Sequence, residues 1–290
     1  MVENFDANGS VDVSVIIVNF NSGDLTCRCL ASIKDSLAIP YEVIVVDNAS
    51  NDGSVNSIRA HVGGDPRFTL VAISQNIGFA KANNHGVRQA RGRILHFLNP
   101  DTIVFRELSE AYRQIMESSE PTLYVTPLLD EQKHPTKSSG VLPTLKDYWC
   151  EIVGGSARRW WVGASVLMKK DVFHALGGWP EDYFMYAEDL DLFYRAHLLH
   201  IPIAVLPAPL MHVGRGSTQR VWSPVRRSIR TRRSYRKFAK KYGLLPDYYI
   251  LSVLTLLRML IRNPREAWVE LRALFIILLE PHGDDDSAHR

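Results

Sequence analysis

The segment Glu188-Asp189-Leu190-Asp191 sets three carboxylates within four residues at the head of a helical pattern, and far upstream Asn99-Pro100-Asp101 closes an apolar run. Acid sites so separated suit a transfer reaction. One can hold a divalent cation against a diphosphate while the other takes a proton from an attacking hydroxyl. Helix geometry sorts the cluster. Asp189 stands three, four and seven residues before Leu192, Phe193 and Ala196, on the stripe that turns to the core, so it points inward and is the general-base candidate. Asp191 stands four before Arg195, the spacing of an ordinary ion pair on the helix surface, and takes a structural role. Glu188, at the helix entrance, complements the macrodipole and supports the site from there.

These residues need a scaffold. Residues 13–20 and 42–46 are β-branched runs that end in polar residues, as parallel strands buried on both faces do. Between them, 25–37 carries Leu25, Cys29, Ile33 and Leu37 at steps of four, a helix stripe, so the unit is β-α-β. The alternation continues with 68–73 as strand, 79–90 as helix, 93–98 as strand and 105–117 as helix, which predicts a doubly wound, mostly parallel α/β sheet. Residues 126–156 lose the pattern and predict a mobile loop near the site, touching the acceptor. Residues 160–168 read as a strand, 171–176 as a short helix stopped by Gly177-Gly178, and 188–199 as the helix that bears the acid cluster.

In open parallel sheets, ligands collect at the carboxyl ends of the strands. This sequence puts Asn19 and Asn21 after the first strand, Asp47-Asn48 after the second, Asn76 and Gly78 after the third, and Asn99 with Asp101 after the fourth. Each alone is an ordinary turn or cap residue. Their recurrence at four successive strand ends predicts one shared crevice.

Composition narrows the classes. With 290 residues, 46% of them hydrophobic, the chain can bury one full core and carry a small second unit. No uninterrupted apolar run reaches the roughly 18 residues of a membrane span, and residues 1–11 are polar and acidic, unlike a signal peptide, so the expectation is a cytoplasmic protein. Cys27, Cys29 and Cys150 give neither a disulfide framework nor a zinc site. The net charge of +3 hides a segregation: residues 213–246 hold eleven Lys or Arg and no acid, so the basic surface is local.

Taken in order, Val15-Ile16-Ile17-Val18-Asn19-Phe20-Asn21, Val45-Val46-Asp47-Asn48-Ala49-Ser50, Asn76-Ile77-Gly78-Phe79-Ala80, Leu98-Asn99-Pro100-Asp101, Gly177-Gly178-Trp179 and the acid cluster resemble the family 2 glycosyltransferases of the GT-A fold. The likeness covers residues 13–217 and in pattern is nearest to bacterial rhamnosyltransferases acting on polyprenyl-linked acceptors. The resemblance implies that Asn19 and Phe20 border the pyrimidine of a dTDP- or UDP-sugar donor, with the other strand-end residues around it. It also implies that Asp47 accepts the ring N–H, a task that suits a carboxylate because the imide offers one donor. Asn99-Pro100-Asp101 sits where the family's Asp-X-Asp metal motif lies, with Asn in the first position, which leaves Asp101 as the main ligand of that loop. By the same likeness His212 completes the shell of a Mn2+ or Mg2+ ion, Arg215 adds charge, and Ser217 contacts phosphate. The implied reaction is an inverting, metal-assisted transfer of L-rhamnose from dTDP-rhamnose to a lipid-linked saccharide of a bacterial envelope polymer. Galactofuranose, glucose and N-acetylglucosamine are the alternative sugars.

Beyond the likeness, Ser223-Pro224 starts and Gly243 stops a helix whose Val225, Ile229, Tyr235, Phe238, Ala239 and Tyr242 gather on one half, most Lys and Arg taking the other. Residues 248–261 and 267–279 follow as mostly apolar helices too short to span a bilayer. Apolar helices beside a cationic one predict a dock on the anionic inner face of the plasma membrane or a homo-oligomer interface, with no nucleic-acid partner. The expected division is a tail (1–12), a catalytic domain (13–217), a helical extension (218–280) and an acidic tail (281–290). Two rival classes fare worse. A sugar nucleotidyltransferase wants a cationic Gly-rich loop after the first strand, where Asn19-Phe20-Asn21-Ser22-Gly23 has no cation, and a silent binding module has no use for Asp47, Asp101, Asp189 and His212 together.

Overall fold

The computed structural model describes residues 10–214 and 223–279. Strands β1 (Val13–Asn19) and β2 (Tyr41–Asn48) are buried at every residue, as their unbroken apolar runs demand. They pair in parallel with Asn19 opposite Asp47 at the carboxyl end. Helix α1 (Gly23–Ser36) joins them; α2 (Ser54–Val62), which the periodicity does not reveal, leads to β3 (Phe68–Ile73). Helix α3 (Phe79–Val87), β4 (Ile94–Leu98), β5 (Thr102–Ile103) and α4 (Glu107–Glu117) complete the first half.

The second half runs β6 (Leu123–Val125), β7 (Leu128–Leu129), β8 (Ser139–Val141), α5 (Leu145–Ile152), β9 (Arg159–Trp161), β10 (Ser165–Lys169), α6 (Lys170–Ala175), α7 (Glu188–Leu198), β11 (Ile203–Val205) and β12 (Leu210–His212). The main sheet has the order β11-β6-β10-β4-β1-β2-β3, with β10 antiparallel to both its neighbours. Strand β1 shows how two cores share it. Val13, Val15 and Ile17 enter the core under α1 and α4, while Ile16 and Val18 enter the one under α3, α6 and α7. Each such fully buried side chain contributes about 1.5–3 kcal/mol.

Two expectations fail here. Residues 126–156 are not a plain loop: they hold β7, β8 and α5. Thr144 caps α5, its hydroxyl oxygen accepting from the Asp147 N–H at 3.0 Å, and the Asp147 carboxylate in turn takes the Arg158 N–H at 2.9 Å and its guanidinium at 2.8 Å. That buried anchor orders the segment through a residue beyond its end. Residues 160–168 form two strands instead of one, because the chain turns at Gly163 between β9 and β10.

Three helices close the described chain: α8 (Pro224–Lys241), α9 (Leu245–Arg262) and α10 (Pro264–Leu279). Ser223 caps α8 and Pro224 opens it. Its apolar face, with Phe238, Tyr235 and Tyr242, packs on Tyr183, Leu190 and Tyr194, beside the acid cluster. Among the described residues no helix is long and apolar enough to cross a membrane.

Gly78 fixes how the third strand end meets the segment before α7. Its φ of 85° lies in the left-handed region, and an added Cβ would stand 2.4 Å from the Phe184 carbonyl oxygen. Gly78→Ala is therefore expected to lower the unfolding free energy by about 1–3 kcal/mol, read by urea denaturation. An unchanged midpoint contradicts the packing.

Candidate functional site

The strand ends form one hydrogen-bonded mesh. Asn19, fully buried, gives both amide hydrogens to Asp47 (2.6 Å) and Ser50 (3.0 Å), and its oxygen accepts from Ser22 (2.9 Å) and Thr26 (2.7 Å). It acts through the loops it holds. Asp47 spends one oxygen on Asn19 and the other on the Ser50 N–H (3.0 Å); a carboxylate has lone pairs left after two such bonds. Asn21, at φ 49°, takes the Asn51 N–H at 2.9 Å. Asn48 bonds Asn76 at 2.9 Å and the Ile77 N–H at 2.9 Å, and Asn76 accepts from the Gly78 N–H at 3.1 Å. Phe20 is half-buried beside them.

The fourth strand end turns into the small sheet β5-β12-β7. His212 lies opposite Thr102 there, and the Val213 N–H donates to the Asp101 carbonyl at 2.9 Å. That pairing brings His212 Nε2 to 3.2 Å from Asp101 Oδ1 although the two are far apart in sequence. One carboxylate and one imidazole make a partial shell for a divalent cation. Among the described residues no cluster of three or more metal-ligating side chains occurs, so a cation held here would need a diphosphate and water for its remaining positions. A donor set of this kind fits a metal that arrives with a phosphorylated substrate.

The acid cluster reaches the same place through the Gly163 turn. Asn99 N–H donates to the Ala164 carbonyl at 2.9 Å, and one residue back Gly163 N–H donates to Asp189 Oδ2 at 3.2 Å. Two backbone bonds thus stitch the Asp101 loop, through the Gly163–Ala164 turn, to the head of α7. The segment before α7 is also tied to α3, the Phe79 N–H meeting the Phe184 carbonyl at 3.2 Å. Tyr186 and Ala187 carry φ of 68° and 67°, a strained pair for residues with side chains, held where α8 contributes the Ser234 hydroxyl to the Met185 carbonyl at 2.9 Å.

Burial governs the chemistry of the pair that follows. It pushes the Glu188 carboxyl well up, and the charge of Asp189 adds to it; Glu188 Oε2 is buried with no hydrogen-bond partner. Asp189 is also pushed up by burial, while the N–H groups of Leu190 and Gly163 pull it back. Of the two, Asp189 is the readier base. Tyr235 of α8 lies close enough that burial first, then the charges of Asp189 and Glu188, raise its phenol.

Asp191 is not on the helix surface. It is fully buried, accepts hydrogen bonds from Tyr183 (2.8 Å), Lys241 (2.9 Å) and Tyr242 (3.0 Å), and forms the expected ion pair with Arg195 at 3.0 Å. Helix α8 covers the face that α7 alone would expose. The sequence names Tyr242 only as part of an apolar face and gives no sign of Tyr183 or Lys241 as partners of Asp191, because no local spacing links α8 or the segment before α7 to that carboxylate. Arg215 and Ser217 lie outside the described residues.

Comparison with known proteins falls in line with this geometry. Residues 14–144 match the profile of Glycosyl transferase family 2. The mannosyltransferase PcManGT from Pyrobaculum calidifontis, solved with GDP-Man and Mn2+, superposes with a TM-score of 0.60 over 94% of this chain and 89% of its own, at 18% identity. The fold is the GT-A fold. Among curated sequences, the succinoglycan biosynthesis protein ExoO of Rhizobium meliloti is 34% identical over 93 residues, 32% of this chain and 26% of that protein. The putative teichuronic acid biosynthesis glycosyltransferase TuaG of Bacillus subtilis is 33% identical over 89 residues, 31% of this chain and 35% of its own length. The chain thus spans about a quarter to a third of these curated relatives. Together the matches support a family 2 glycosyltransferase domain.

A base must be ionised to accept a proton, and the raised Asp189 carboxyl ionises only above the usual carboxylate range. kcat/KM for transfer is expected to climb with pH through a transition higher than the roughly 3.9 of a free Asp, then level off. A profile flat down to the ordinary carboxylate range removes Asp189 from the role. Lys241→Met leaves the buried Asp191 short of one charge and is expected to cost about 2 kcal/mol in urea unfolding; the loss should shrink in an Asp191→Asn background.

Proposed function

We propose that this chain is an inverting glycosyltransferase that moves a sugar from a pyrimidine nucleoside diphosphate to an acceptor hydroxyl. The carrying observation is the pair of backbone bonds that sets Asp189 beside the Asp101 loop. Asp189 takes the proton of the acceptor hydroxyl as that oxygen attacks the anomeric carbon from the face opposite the departing diphosphate, so one displacement inverts the centre. Proton removal of this kind contributes about 10²- to 10⁴-fold. Asp101 and His212 would hold Mn2+ or Mg2+, which when bound offsets the charge growing on the leaving diphosphate. The fold neighbour PcManGT, solved with GDP-Man and Mn2+, supports a sugar-nucleotide donor and a divalent metal; its base is a purine, so the pyrimidine rests on the resemblance of the motifs. Asn19, Asn21, Asp47, Asn48, Asn76, Gly78 and Asn99 shape the donor side, with Phe20 against the base.

L-Rhamnose from dTDP-rhamnose is the donor we favour, on the resemblance carried by the ordered motifs. The acceptor is a polyprenyl-linked saccharide of an envelope polysaccharide; the relatives named for succinoglycan and teichuronic acid synthesis support a polymer product. We divide the chain into the catalytic part, residues 13–217, and a helical extension, residues 218–280, that meets the inner face of an anionic membrane.

The test is thermal stabilisation by dTDP and by UDP, each with and without Mn2+, followed by product analysis on a lipid-linked acceptor. Stabilisation by dTDP that grows with Mn2+ in the wild type and falls away in Asp101→Ala is expected. Asp189→Asn should keep that stabilisation and lose at least about 10²-fold in turnover. Full turnover in Asp189→Asn, or a product of retained configuration, overturns the mechanism.

A further inference from the structure

The strongest unassigned feature is apolar surface gathered in one region. Helix α9 has 18 residues and buries only Tyr248 and Ser252. Ile250, Val253, Leu257 and Ile261 recur along it at helical spacing and stand exposed, Ile261 at 86%. A largely apolar helix with so little cover requires a second apolar environment. Helix α10 turns Ala273 and Ile277 inward, where Arg232 of α8 grips Glu270 at 2.7 Å, and leaves Trp268 and Phe275 exposed.

Helix α5 is fastened to the same surface. The Leu145 N–H donates to Asp247 of α9 at 2.5 Å, and Arg258 of α9 donates to the Tyr148 hydroxyl at 3.3 Å. Next to that contact Trp149, Ile152 and Val153 are 64%, 54% and 61% exposed. Of the seventeen large hydrophobic residues exposed among the described residues, thirteen lie at α5, α9 and α10.

We propose that α5 joins α9 and α10 in one lipid-facing surface whose partner is an anionic bilayer. The inference rests on the membrane reading above and adds the second point of contact. Charge decides the occupant. Arg258, Arg262, Arg265 and Arg272 are exposed on α9 and α10, where Glu266 is the exposed acid, since Glu270 is held by Arg232 and Asp247 by the Leu145 N–H; on α5 the exposed Glu151 is paired with Arg159 at 3.2 Å. Long cationic stems can lie on apolar surface with their heads among phosphates, and tryptophan favours the headgroup level. A second copy docked by a two-fold axis would set arginine rim against arginine rim. The surface also addresses the site: β9, which follows α5, runs directly into the Gly163 turn that holds Asp189. Lipid at α5 therefore presents a membrane-anchored acceptor near the proposed base.

The test is flotation of the full chain with phosphatidylcholine vesicles, with and without phosphatidylglycerol, and quenching of tryptophan fluorescence by brominated lipid. Wild type should bind only the anionic vesicles, less so at high salt. Trp149→Glu and Trp268→Glu should each weaken partition by about tenfold or more, and Trp149→Phe should bind while losing part of the quenching. If Trp149→Glu floats like wild type and Trp149→Phe leaves the quenching unchanged, α5 is not at the lipid, though the membrane reading survives. If wild type ignores anionic vesicles, or forms dimers that Trp149→Glu dissociates, the membrane reading falls with it.

Discussion

The turn at Gly163–Ala164 carries the architecture of the site. Asn99 on one side and Asp189 on the other each spend a hydrogen bond on its backbone, so the loop bearing Asp101 and the helix bearing Asp189 cannot move independently. These are bonds to main chain, which no substitution at the turn other than proline at Gly163 removes. The antiparallel entry of β10 beside β4 makes them available: in an all-parallel sheet the strand beside β4 would enter from the opposite edge.

A second constraint holds α7 from behind. The buried Asp191 carboxylate gathers two phenols, an ammonium and a guanidinium from three segments, so its charge is fully met and its position is set. Two residues earlier Asp189 faces the opposite fate, with burial raising its carboxyl and only backbone N–H groups opposing that shift. The same short sequence therefore holds one carboxylate fixed by charged and phenolic partners and one, the proposed base, whose carboxyl burial raises. Environment, supplied largely by α8, separates the two roles.

Much of this was legible in the chain itself. Residues 68–73 were read as a strand to the residue, and the long buried runs gave β1 and β2, because continuous β-branched residues admit few other structures. Helix periodicity set Asp189 on the inward stripe, and the structure leaves it half-buried against the Gly163 N–H; the same projection put Asp191 on the surface, since it knows only α7 and not the helix that covers it. Helix α2 escaped notice because only Ser54 and Ile58 are buried along it, too few to make a stripe. The ordering of 126–156 depends on Arg158 and on α9, both remote from the residues they hold; only Thr144 and Asp147, at capping-box spacing, marked α5 locally. His212 and Asp101 meet through two- and three-residue strands that no pattern reveals.

Asp101 with His212, and Asp189, are proposed to serve one crevice in different roles. Crystals grown with Mn2+ and dTDP, measured at the manganese absorption edge, test it most directly. A single anomalous peak bonded to the Asp101 carboxylate and His212 Nε2 is expected, with Asp189 free of metal and open to the sugar side of the diphosphate. A peak bonded to Asp189, or a nucleotide bound away from the strand ends, would contradict it.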